Sequence, residues 1–313
     1  MSDLRVAVIG VGHLGQHHAR LLASIEGVEL VGVCDTNRSR ADDIAAKFGG
    51  QSFADVRDLV SRVDAVTIAA PTVSHVGLAL PFLEAGIATL VEKPIASSVE
   101  EAERLIDTAQ RGRALLATGH TERFNPAVAA ALPLIEEPRF IEIHRLGTFP
   151  ERSLDIDVIF DLMIHDLDLL LTVVKSEVAS VEAVGVNVLT PKADIANARL
   201  RFASGCIANL TASRISRERV RKARFFQKDA YVSIDFAAQE LEVYRLVQHP
   251  STDARPIIHG GKVDVPREEP LRRELEDFVD AVRTGRSPGV TGRDGRDALA
   301  LATRVAEKME SQK

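Results

Sequence analysis

A doubly wound parallel α/β domain, followed by an α+β domain with a large, mostly antiparallel open sheet, is the fold class these 313 residues predict. Three observations carry it. Up to residue 120, short apolar runs alternate with helical stretches, the pattern of a sheet covered on both faces. Beyond that point strand patterns follow one another without helices between them, which calls for antiparallel pairing. The length suggests two domains rather than one. They divide as 1–120 and 121–313, with the C-terminal helices able to pack back on the first domain.

Taken in order, Leu4–Ile9 is a buried strand and His13–Ser24 a helix. Strand Val28–Cys34, helix Arg38–Phe48, an extended piece at Gln51–Phe53 and a small helix at Asp55–Val60 follow. Strand Ala65–Ala69, helix Ser74–Ala85, strand Ala88–Val91, helix Val99–Arg111 and strand Ala114–Thr118 complete the domain. In the second domain, strand Phe140–Leu146 precedes one long helix, Val158–Val174. Strands come next at Val181–Leu189, Ala196–Phe202, Cys206–Ser213, Val220–Phe226, Ala230–Asp235 and Glu240–Leu246. Pro250–Gly261 reads as a loop. Amphipathic helices at Glu269–Thr284 and Asp294–Glu310 close the chain.

Composition narrows the function classes. The chain is 45% hydrophobic and 27% charged with a net charge of −6, which argues against nucleic acid or an anionic membrane as partner. No apolar stretch approaches the ~20 residues of a membrane span, and no basic leader precedes Leu4–Ile9. Cys34 and Cys206 make no disulfide framework. A cytoplasmic protein without membrane insertion is the expectation.

The first strand runs into Gly10-Val11-Gly12-His13-Leu14-Gly15, a G-x-G-x-x-G between strand and helix. Its glycines permit a tight turn, close approach of a pyrophosphate, and close helix–strand packing, and the helix N-terminus favours the phosphate charge. Asp35 ends the second strand twenty positions after Gly15, placed to accept from ribose hydroxyls and to repel a 2′-phosphate. The context is that of a Rossmann-type dinucleotide-binding domain, with NAD favoured. Arg38 keeps NADP open, since an arginine there accommodates a 2′-phosphate. His13, His17 and His18 lack the further ligands a zinc site needs, so no metal is expected.

Two further features carry polar chemistry. Val91-Glu92-Lys93-Pro94 stands at the fifth strand's carboxyl end, where ligands bind in open α/β sheets. A lysine there can hydrogen-bond a reacting oxygen as charge builds on it, although a lone lysine at a strand end is also an ordinary surface residue. Asp161, His165 and Asp168 fall at i, i+4 and i+7 on the long helix, and so share a face. A histidine between carboxylates is a good general base, and a solvated face is the plainer alternative. Arg217, Arg219 and Arg221 alternate along a predicted strand. That stripe suits either a nucleotide diphosphate or a solvated or dimer-facing sheet surface.

Gly10/Gly12/Gly15, Glu92-Lys93-Pro94 and Asp161-x-x-x-His165, in this order and spacing, resemble the glucose–fructose oxidoreductase, inositol dehydrogenase and rhizopine-catabolism (Gfo/Idh/MocA) family over essentially the whole chain. The resemblance implies a Rossmann domain before a sheet-rich substrate domain, with Lys93, Asp161 and His165 as the catalytic set at the substrate hydroxyl. It implies that Arg123 and Asn125, in Thr121-Glu122-Arg123-Phe124-Asn125-Pro126, line the cleft, and that Ala70, Pro71 and His75 face the cofactor beside Glu92 and Lys93. Asp155-Ile156-Asp157-Val158 departs from the glycine-rich approach of many members, so the substrate side of the pocket is expected to differ. Gly119–Pro126 and Phe226-Gln227-Lys228-Asp229-Ala230-Tyr231 look most like members that oxidise the 3-hydroxyl of UDP-N-acetylglucosamine, in lipid A precursor synthesis.

The expectation is thus an NAD(P)-dependent dehydrogenase acting on a secondary alcohol of a sugar or nucleotide sugar. A homodimer or homotetramer joined through second-domain sheets is expected with it. The alternatives are an NADP-dependent reductase of the same fold, a free sugar or inositol dehydrogenase, and a non-enzymatic dinucleotide-sensing regulator.

Overall fold

A computed structural model describes residues 3–149, 156–247 and 257–310. In chain order the elements are β1 (Leu4–Ile9), α1 (Gly15–Leu22), β2 (Val28–Cys34), α2 (Arg38–Phe48), β3 (Gln51–Phe53), β4 (Ala65–Ile68), α3 (His75–Glu84), β5 (Ala88–Glu92), α4 (Val99–Gly112) and β6 (Leu116–Gly119). Then come α5 (Pro126–Ala131), β7 (Phe140–Leu146), a π-helical turn at Ile159–Met163, α6 (Ile164–Val173), β8 (Val178–Val186), β9 (Ile195–Phe202), β10 (Ile207–Ser213) and β11 (Val220–Phe226). The last are β12 (Ala230–Asp235), β13 (Glu240–Val247), β14 (Ile257–Val263), α7 (Pro270–Thr284) and α8 (Gly292–Glu310). The chain divides into two compact units, residues 1–121 with 269–299 and residues 122–268 with 300–313.

The first unit is built on a six-stranded parallel sheet in the order β3-β2-β1-β4-β5-β6. The order reverses between β1 and β4, which opens the ligand crevice at the carboxyl ends of those strands. Residues 65–68 of β4 and 88–92 of β5 are buried throughout, as strands covered on both faces must be. Leu275 and Phe278 of α7 join Val6, Val8, Leu21 and Leu22 in the apolar core, so the C-terminal segment completes this unit. Asn37 caps α2 by accepting from the Arg40 N–H, and Ser98 caps α4 by accepting from the Glu101 N–H.

The second unit carries an eight-stranded sheet in the order β14-β13-β12-β11-β7-β10-β9-β8, antiparallel except where β7 pairs β10. Burial alternates along β7 and β9. Ile141, Ile143, Arg145, Ala198 and Leu200 point to the covered face, and Glu142, His144, Asn197 and Arg199 to the open one.

Four local expectations are corrected. The long helix opens in the π-turn before α6 instead of running as regular α-helix from Val158. Ile257–Val263, expected as loop, is the edge strand β14, because pairing with β13 supplies backbone partners that its side-chain pattern does not advertise. The rest of that predicted loop, 250–256, lies outside the described residues, as does Asp155. The segment after residue 120 holds a short helix, α5, started by Asn125 as cap and Pro126 in its first turn. Finally, β11 begins only at Val220, so Arg217 and Arg219 precede it and no alternating arginine stripe forms.

Candidate active site

In the first unit the glycine turn has the form a pyrophosphate needs. Gly10 has φ +80°, and a side chain there would meet the Ala69 carbonyl oxygen at 2.8 Å. At Gly15 an added carbon would overlap the Gly10 carbonyl oxygen, so α1 packs directly against the turn. At Gly12 the same carbon would touch only the Arg40 guanidinium, at 3.7 Å, which leaves a cradle over the turn. His13 and Leu14 are exposed beside it, and the His13 and His17 rings meet edge-on at 5.8 Å. The open space at Gly12 and the close packing at Gly10 and Gly15 fit the approach of a dinucleotide's phosphates.

Asp35 does two things at once. Its Oδ2 accepts the Val11 N–H at 2.9 Å and its Oδ1 accepts the Asn37 N–H at 2.8 Å. The arginine beside it is Arg40, 3.7 Å away, which sequence reasoning missed. Arg38 instead pairs with Asp42 one turn along α2, at 3.2 Å.

After β4, Ala70 is half-buried and Pro71 exposed. His75 is not placed as expected, because its ring is 1% exposed and faces into the protein. Its Nδ1 lies 2.9 Å from the Pro94 carbonyl and its Nε2 2.8 Å from the Ala70 carbonyl. Burial, only partly offset by these carbonyls and by Glu92, pulls the imidazole below its ordinary pKa.

At the end of β5, Lys93 is half-buried and its bond to Pro94 is cis. Glu92, expected beside the cofactor, also turns inward and is 5% exposed. One oxygen shares a hydrogen bond with the buried His18 Nε2 at 3.1 Å, and the other accepts the Lys93 N–H at 3.2 Å. Its neighbour across the interior is Glu274 of α7, which accepts from the Thr121 hydroxyl at 3.1 Å. Burial, reinforced by the charge of Glu92, pushes Glu274 well above the usual carboxylate range.

In the second unit, Asp161 sits in the π-turn and His165 in the first turn of α6, both half-buried. Such turns recur at functional sites, and the apolar periodicity gave no sign of this one. Asp157, just ahead, accepts the Ala193 N–H at 2.6 Å. Asp168 is buried and gripped at two points by Arg123, at 2.8 and 3.0 Å, so both side chains serve an internal ion pair. Asn125 is 2% exposed. It caps α5 and donates to the Phe236 carbonyl at 2.9 Å, a structural task in place of the substrate contact expected of it.

Beneath α6, Arg145 is buried between Asp166 at 2.7 Å and Glu122 at 2.8 Å. Burial opposes its charge, but the two carboxylates more than offset that and hold it ionised. Arg221 stands opposite Arg145 in the β7–β11 register, on the same face, and is exposed. Arg219 donates to the Thr148 hydroxyl at 3.2 Å.

The profile of an oxidoreductase family with an NAD-binding Rossmann fold matches residues 4–120, and that of the GFO/IDH/MocA C-terminal domain matches residues 99–232. The chain is 42% identical to a UDP-N-acetylglucosamine 3-dehydrogenase of Acidithiobacillus ferrooxidans, over 99% of both chains. The solved structure of that enzyme superposes with a TM-score of 0.92 at 41% identity, covering 99% of each chain. An inositol 2-dehydrogenase of Rhizobium meliloti is 28% identical over 98% of each chain. A levoglucosan dehydrogenase in complex with NADH and levoglucosan shares the fold, with a TM-score of 0.87 at 20% identity over 100% of this chain and 98% of that one.

Proposed function

The chain belongs to the Gfo/Idh/MocA family of NAD-dependent oxidoreductases, and on that premise we propose that it oxidises the 3-hydroxyl of UDP-N-acetylglucosamine. The observation that carries this reading is end-to-end similarity, at 42% identity, to an enzyme named for that reaction.

NAD supplies the acceptor for the carbinol hydride. The chain's own residues do the rest. Gly10, Gly12, His13, Leu14 and Gly15 hold the dinucleotide phosphates, Asp35 takes the ribose hydroxyls, and Ala70 and Pro71 flank the nicotinamide end. In this reading His165 accepts the substrate's hydroxyl proton at a ring nitrogen, and Asp161 orients the imidazole and supports its positive charge. Lys93 donates to the same oxygen and stabilises the negative charge that builds as its proton leaves. What supports the set is that Lys93 follows β5, Asp161 lies in the π-turn and His165 in the first turn of α6, each half-exposed among buried neighbours.

The nucleotide half of the substrate meets a cation in this reading. Arg221 is exposed beside Arg145, whose charge two carboxylates already satisfy, and Arg219 is exposed nearby. Arg145 and Arg221 together balance Glu122 and Asp166, and a diphosphate would meet the exposed Arg221 and Arg219 as donors.

A homodimer or homotetramer joined through the open face of the eight-stranded sheet belongs to the same proposal. Phe140, Phe226, Tyr231 and Tyr244 form a row of ring contacts on β7, β11, β12 and β13, at 5.6, 5.1 and 6.2 Å, and Val184 and Val186 are about half exposed on β8. We place the enzyme in the cytoplasm, and among the described residues no helix is long and apolar enough to cross a membrane.

The test is NAD reduction by UDP-N-acetylglucosamine against free N-acetylglucosamine, glucose and myo-inositol, repeated with NADP. The expected result is turnover with the nucleotide sugar and NAD. Turnover with a free sugar or inositol, and none with the nucleotide sugar, rejects the substrate assignment.

A further inference from the structure

Lys93 sits between two buried histidines that no part of the proposed reaction uses. On one side His75, rooted at the start of α3, has Nδ1 2.9 Å from the carbonyl of Pro94, the residue that follows Lys93. On the other, His18 of α1 shares a hydrogen bond with Glu92, whose second oxygen accepts the Lys93 N–H at 3.2 Å. Both rings are almost wholly excluded from solvent, 1% exposed for His75 and 0% for His18. Burying polar rings costs free energy unless their hydrogen bonds repay it, and here one such bond ends on the Pro94 carbonyl, one residue past Lys93, and the other on the Glu92 carboxylate that accepts the Lys93 N–H.

We propose that His75 is a positioning residue for Lys93. Its ring fixes the Pro94 carbonyl and thereby the direction in which the Lys93 ammonium leaves the end of β5, with the His18–Glu92 pair as the opposite anchor. The inference rests on the catalytic reading of Lys93. A neutral imidazole has one N–H, so its two carbonyl neighbours, Ala70 and Pro94, do not both receive a proton from it at once. The contact to Pro94 is the one that bears on Lys93, whereas the contact to Ala70 ties α3 to the loop after β4.

The two ring nitrogens can be replaced one at a time. In His75→Asn the amide nitrogen stands near the place of Nδ1 and keeps a donor for Pro94; in His75→Gln it stands near Nε2 and keeps one for Ala70. The expected result is a kcat close to wild type for His75→Asn and a fall of roughly ten- to a hundredfold for His75→Gln, the scale of a small misplacement of a catalytic group. The KM for NAD and the melting temperature stay the same in the two variants. In a Lys93→Ala background the two substitutions become indistinguishable, because the ammonium they aim is gone. In the protein without cofactor, the NMR titration of the Lys93 ammonium shifts in His75→Gln and stays in His75→Asn.

Equal losses in both variants, the same fold loss with and without Lys93, or an unmoved lysine titration in both would overturn the proposal. If His75→Gln does not fold, His18→Leu and His18→Gln give the parallel comparison at the other anchor, with the loss confined to His18→Leu. Normal turnover in Lys93→Ala alone would instead remove the catalytic reading of Lys93, a different result read from a different variant.

Discussion

The carboxylate of Asp35 accepts the Val11 N–H at 2.9 Å, so the acidic residue that ends β2 also closes the glycine turn that follows β1. The side chain proposed to take the ribose hydroxyls thus also braces the glycine turn. Asp35→Ala is expected to weaken NAD by roughly ten- to a hundredfold, the worth of a charge-assisted hydrogen bond, and to narrow the preference over NADP. Arg40→Ala should lower residual NADP activity more than Arg38→Ala, since Arg40 lies 3.7 Å from Asp35 while Arg38 pairs with Asp42. Steady-state kinetics with both cofactors decide it. A wild-type preference for NADP would invert the assignment.

Lys93→Ala and His165→Ala are each expected to lower kcat by about 10²–10⁴-fold, the usual contribution of a group that moves or holds a proton. NAD affinity, followed by the fluorescence of bound NADH, should hardly change. Near-normal turnover in either variant would take that residue out of the chemistry.

Much of the candidate site's layout was legible in the sequence, for specific reasons. The glycine turn and Asp35 are read from spacing because a dinucleotide imposes that spacing on strand, turn and helix. Asp161 and His165 are visible as polar residues in an apolar helix. The inward turn of Glu92, His75 and Asn125 was not legible, since a polar side chain near a site has the same letter whether it faces ligand or core. The Arg123–Asp168 pair joins positions 45 apart, and Glu274 reaches Thr121 across 153 positions. No local pattern encodes such contacts. The arginine stripe failed because Arg217 and Arg219 lie ahead of the strand at Val220–Phe226, so only Arg221 shares its alternation.

Glu274 makes stability depend on pH. Its folded pKa is raised above the ordinary value of 4.5 by burial and by Glu92, so above that value the unfolded chain releases a proton that the native state retains. Stability therefore falls as pH rises until Glu274 ionises in the fold as well. Glu274→Gln removes this penalty. Its melting temperature should exceed that of wild type at pH 8, by about 2–4 °C for each kcal/mol recovered, and the gain should shrink toward pH 5. A gain that is constant with pH, or a loss at pH 8, would contradict a Glu274 pKa raised by burial.

Arg221→Ala is expected to raise the KM for UDP-N-acetylglucosamine roughly tenfold or more while leaving kcat within a few-fold, as loss of a charge-assisted contact to phosphate should. UDP alone should compete with the substrate, and added salt should weaken both. An unchanged KM would turn Arg221 away from the nucleotide.

The account's central claim is that the hydride leaves carbon 3 of the sugar while His165 takes the proton from its oxygen. UDP-N-acetylglucosamine deuterated at carbon 3 tests it directly, by mass spectrometry of the cofactor and by the rate. The prediction is one deuterium per turnover on the nicotinamide and slower turnover than with unlabelled substrate under single-turnover conditions. Deuterium left on the sugar while NADH forms at the unlabelled rate would contradict it.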